Sequence, residues 1–82
     1  PESSAATVAV TMTKTGALSV RSAPVSWNEL EPALAREVKR FPDSPVVLRV
    51  DQSVPYREVA RLLAAAKGAG AARIAFGTQP LE

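Results

Sequence analysis

The side chains able to do chemistry in this chain are few: serines, one tyrosine, lysines, arginines and carboxylates, with no histidine and no cysteine. The usual general base at neutral pH is therefore missing, as are the soft metal ligands and the thiolate nucleophile. Ser26, Ser44 and Ser53 each sit beside a helix start or a proline, where a hydroxyl serves as cap or turn residue. Asp43 and Asp51 stand at strand boundaries, yet no spacing brings a second acid beside either, as a paired-carboxylate hydrolase requires. Asp51, just ahead of a helix entrance, is expected instead to cap amides around Val54 to Tyr56. Lys67-Gly-Ala-Gly70 has the look of a phosphate loop but closes a helix instead of opening one, so its amides point away from any anion. Trp27 is read as a core anchor at a helix base, while the Tyr56 hydroxyl must reach water or a partner from a first helical turn. These residues point to a binding module: no enzyme, no cofactor and no metal site is expected.

Composition narrows the partners. The chain has 82 residues, enough for one small domain whose limited core makes dimerisation plausible on size alone. Ten basic against eight acidic groups leave a formal charge of +2, with the basic residues scattered from Lys14 to Arg73. A phosphate backbone is tracked by a run or stripe of cations, and single strands are gripped by stacked aromatics. With one Trp, one Tyr and two Phe, this chain offers neither, so nucleic acid is set aside. No apolar stretch reaches the about 18 residues that cross a bilayer, and the first residues lack signal-peptide character. Residues 1–6 read as linker, 7–80 as the domain and 81–82 as a cloning remnant.

The elements that must position these side chains follow from periodicity. Val8, Val10 and Met12 alternate with Thr and Ala, Gly16 supplies a hairpin turn, and Leu18 and Val20 alternate again. Ser26-Trp-Asn-Glu29 has the spacing of a capping box and predicts a helix from Trp27. Trp27, Leu30, Leu34, Val38 and Phe41 make its apolar stripe, and Pro42 ends it. Val46 to Asp51 reads as a strand. Pro55 stands at the entrance of a second helix with Tyr56, Val59, Leu62, Leu63 and Ala66 on one face, running to about Gly68. Gly68 or Gly70 closes it, and Arg73 to Gly77 forms a last strand. The order is β-β-α-β-α-β, an α+β fold with a small mixed sheet and both helices packed on one face. A short extra strand around Ala23 to Val25 is left open. The opposite face, carrying Thr, Ser, Ala and Arg49, is left for solvent or a partner, and a terminal edge strand invites strand addition by a second copy or an extended peptide.

Four segments carry a family resemblance: Leu48-Arg-Val-Asp51, Val54-Pro-Tyr56, Ala65-Ala-Lys-Gly-Ala-Gly70 and the final strand. In these the chain resembles the periplasmic domain of the ExbD/TolR family, over roughly Thr7 to Pro80. Thr78-Gln-Pro80 does not separate ExbD from TolR. The resemblance implies a homodimeric periplasmic domain of a single-pass bacterial inner-membrane protein, whose transmembrane helix and essential aspartate are absent from this chain. It implies an ExbB- or TolQ-like channel that holds that helix, and a TonB- or TolA-like protein, or peptidoglycan, as the load.

On that resemblance the expected function is force transmission and binding in a proton-motive-force-driven motor serving transport or envelope integrity. The expected contact surfaces, by family position, are Val54, Pro55 and Tyr56 with Ile74, Ala75 and Phe76. Two other readings stay open: a peptidoglycan anchor using Arg21 and Arg49, and a stator-like subunit of a gliding-motility motor.

Overall fold

The computed structural model describes residues 7–79, so the expected linker, residues 1–6, and the expected remnant, residues 81–82, lie outside the described residues. Strand β1 (Val8–Met12) alternates between buried and half-buried positions, as its period-2 pattern requires. It turns through Thr13 to Ala17 into β2 (Leu18–Val20). There the Gly16 N–H donates to the Thr13 carbonyl at 2.9 Å and Gly16 takes φ +89°, which suits a residue with no Cβ.

The strand left open in the sequence is present as β3 (Ala23–Val25), and it extends the predicted order to β-β-β-α-β-α-β. Arg21 (φ +50°) and Ser22 (φ +74°) make the two-residue turn before it, both left-handed and neither glycine. Side chains there are strained, and because the turn uses Arg and Ser instead of glycine or asparagine it carries no turn signal in the sequence.

Helix α1 (Trp27–Arg40) begins at the expected residue, and both halves of the capping box form. Ser26 Oγ accepts from Glu29 N at 3.3 Å, and Glu29 Oε1 accepts from Ser26 N at 2.9 Å. Pro32 lies inside this helix on its exposed side, so the missing N–H leaves a carbonyl that water can reach. Strand β4 (Val46–Asp51) follows, then α2 (Tyr56–Gly68) and β5 (Ile74–Gln79). Gly70, at φ +94°, is the residue that closes α2.

The sheet order is β3-β2-β1-β4-β5, antiparallel across β3, β2 and β1 and parallel across β1, β4 and β5. Val8, Val10, Met12, Leu18, Val20, Val46, Leu48 and Val50 are buried on one face together with Leu30, Leu34, Val59 and Leu62 from the helices. Both helices therefore cover the same face, giving the α+β architecture read from the sequence. The opposite face carries Ala9, Thr11 and Val47, all half-buried, and exposed Arg49.

Candidate functional site

The two edges of the sheet are built differently. At β3 the strand has three residues with Pro24 in the middle, and α1 packs over β2 and β3. A two-residue turn makes Val20 and Ala23 a hydrogen-bonded pair, so alternation turns the Pro24 main chain outward, where it has no N–H to offer. At β5 the strand has six residues. The Arg73 carbonyl accepts from Val46 N at 2.9 Å, so alternation points the N–H and C=O groups of Ile74, Phe76 and Thr78 away from β4. That edge is a template for another strand.

The side chains beside the β5 edge are apolar. Phe76 is 47% exposed and Tyr56, in the first turn of α2, is 76% exposed. Tyr56, Ala60 and Leu63 recur at helical spacing on one flank of α2, while Arg61 and Gly68 face α1 on the other. Ile74 is half-buried against the core and Ala75 is exposed. The register matches Ile74 with Val46 and Phe76 with Leu48, so both side chains stand on the helix-covered side and Ala75 on the open side. Of the six expected contact residues, Ile74, Ala75 and Phe76 lie on β5, and Tyr56 lies on the flank of α2 away from α1.

Val54 and Pro55 lie elsewhere. They line a hollow of about 160 Å³ at the carboxyl ends of β1 and β4, with Met12, Lys14, Trp27 and Glu58. Trp27 is held by the Arg61 guanidinium, 4.1 Å from its ring centroid. Sequence reasoning did not single out Lys14 or Glu58, because they line one hollow only once β1 and β4 are neighbours. A larger hollow, of about 420 Å³, runs along the β3 edge between Pro24, Pro32 and Arg36.

Arg21 and Arg49, the expected wall-contact pair, are not brought together. Arg21 points toward α1, 3.3 Å from Glu37 Oε1 and 5.0 Å from the Phe41 centroid, with Arg40 on the same ring at 5.1 Å. Arg49 stands on the open face in a row with Thr11 and Gly77.

Asp51 is buried, and its Oδ1 accepts from Ser53 N at 2.8 Å and Ser53 Oγ at 2.6 Å, while its carbonyl accepts from Val54 N at 3.0 Å. The expected cap on the amides around Val54 to Tyr56 does not form: the Asp51 side chain closes a turn on Ser53 ahead of the helix, and α2 is entered through Pro55 with no side-chain cap. Asp43 sits beyond the other end of β4, so the two carboxylates are a strand's length apart. Among the described residues no group of three or more acidic side chains could hold a metal ion.

A protein-family comparison decides what kind of domain this is: the model of the biopolymer transport protein ExbD/TolR matches residues 1–81. The chain belongs to the ExbD/TolR family. Members of this family serve biopolymer transport energised by a motor complex and are transport-associated, non-enzymatic proteins. They associate in general with ExbB/TolQ and TonB/TolA-type partners, and are typically inner-membrane proteins with a periplasmic domain. No curated protein matches the chain. Among the described residues no helix is long and apolar enough to cross a membrane.

Proposed function

We propose that this ExbD/TolR chain is a periplasmic module that binds partners and transmits force without catalysis, in an inner-membrane motor of the ExbB–ExbD or TolQ–TolR type driven by the proton motive force. The observation that carries this reading is the open β5 edge, with three outward-facing main-chain pairs and exposed Phe76, together with exposed Tyr56 on α2. An extended segment of a TonB- or TolA-like protein adds there as a sixth strand and gains main-chain hydrogen bonds along β5, with its side chains against Tyr56, Ala60 and Leu63. A homodimer uses the same edge by pairing β5 with β5 of a second copy. Pulling along an added strand loads several hydrogen bonds at once, which suits a part that carries force.

The test is a titration of the 15N-labelled domain with TonB- and TolA-type peptides. Saturable shifts at Ile74, Phe76, Thr78 and Tyr56 are expected. Shifts confined to β3, or none with any such peptide, overturn the reading. Exposed Arg49 on the open face supports a second contact, with peptidoglycan carboxylates. Charge reversal at Arg49 then reduces retention on purified sacculi, and unchanged retention removes that contact.

A further inference from the structure

We infer that the hollow at the carboxyl ends of β1 and β4 binds a small zwitterion, a free α-amino acid with an aliphatic side chain. The site is independent of the β5 edge. It arises from topology: β1 and β4 are adjacent and parallel, in register from Val8 with Val46 to Met12 with Val50. From β1 the chain turns toward β2 on one side, and from β4 it leaves through α2 toward β5 on the other. Two connections that diverge from neighbouring parallel strands must leave a crevice between them. Concave sites with an apolar floor and a few convergent polar groups are where small molecules bind.

The chemistry of the lining selects the ligand. Met12, Trp27, Val54 and Pro55 provide an apolar floor, and the rim carries one cation, Lys14, and one anion, Glu58. These opposite charges do not neutralise each other. Lys14 enters no ion pair among the described residues, and Glu58 approaches only Arg57, at 4.0 Å, whose side chain is 85% exposed. A ligand with a single charge answers one rim group and leaves the other facing an apolar body. A carboxylate on Lys14 and an ammonium on Glu58, joined through one carbon that bears an aliphatic group, answers both and fills the floor. The volume of about 160 Å³ is enough for such a ligand, since a water takes about 30 Å³.

The experiment uses three probes on the intact chain: L-leucine, N-acetyl-L-leucine, which lacks the cation, and L-leucinamide, which lacks the carboxylate. Trp27 is the single tryptophan, so its emission reports the site directly, and amide shifts at Lys14, Gly16 and Val54 locate it. Leucine is expected to saturate, with each singly charged analogue about tenfold weaker, the scale of one lost charge-assisted hydrogen bond. Lys14→Gln weakens leucine about tenfold but leaves leucinamide unchanged, and Glu58→Gln weakens leucine but not N-acetyl-leucine. The proposal is overturned if leucine gives no saturable response at tens of millimolar, if the analogues bind as well as leucine, or if each substitution weakens all three probes alike.

Discussion

The β3 edge and the β5 edge bound the same sheet and share one core, yet one is closed to strand addition and the other is open. Closure at β3 takes three devices together: a short strand, a proline whose main chain faces outward, and a helix packed over β2 and β3. At β5 the strand is twice as long, has no proline and carries exposed Phe76. Edges are liabilities in a monomer, so a domain that blocks one and leaves the other open marks the open one for use.

The sharpest way to break this contrast is proline placed at neighbouring positions of β5. Ala75→Pro removes a hydrogen bond to β4 and is expected to lower stability in urea unfolding by about 1 to 3 kcal/mol, the scale of a ladder bond lost with its acceptor left unpaired. Phe76→Pro removes an N–H that points outward. It is expected to keep the fold while weakening partner-peptide binding at least about tenfold, and Phe76→Val, which keeps the N–H, loses much less. Equal destabilisation by the two prolines would show that the inferred alternation is wrong.

The reverse experiment opens the closed edge. Pro24→Val restores an outward N–H on β3 and is expected to raise concentration-dependent self-association in sedimentation runs. No change would mean that α1 and strand length close that edge without the proline. The smallest effect concerns the turn that delivers β3. Ser22→Gly relieves a left-handed side chain costing about 1 to 2 kcal/mol, and glycine's extra unfolded-state freedom returns part of that. A net gain of about 0.5 kcal/mol is expected in thermal unfolding.

Much of this fold was legible because local signals agreed with one another. The alternation of Val8, Val10 and Met12, the Ser26/Glu29 capping box and the stripe through Val59, Leu62 and Ala66 each follow from period or cap chemistry, and each appears in the structure. Strand β3 was not firmly legible, because its turn uses Arg21 and Ser22 where left-handed geometry favours Gly or Asn. The role of Arg21 was hidden for a related reason. Only the hairpin's geometry shows that its guanidinium reaches Glu37 and Phe41 and not the open face beside Arg49.

All six contact residues were named from family position. Ile74, Ala75 and Phe76 share β5 and Tyr56 lies on the flank of α2 away from α1, whereas Val54 and Pro55 separate from Tyr56 because a helix start turns successive side chains in different directions. The zwitterion hollow was out of reach of any local window. Lys14 and Glu58 are far apart in the chain and come to line one hollow only through the pairing of β1 with β4.

The central claim is tested most directly by hydrogen exchange at individual amides of β5, with and without a saturating TonB- or TolA-type peptide. In the monomeric domain without peptide, at concentrations below self-association, Ala75 and Gly77 should exchange slowly and Ile74, Phe76 and Thr78 quickly, and bound peptide should slow those three. If all five amides are already protected in the free monomer, or if the peptide leaves Ile74, Phe76 and Thr78 exchanging as before, the open edge is not the binding surface.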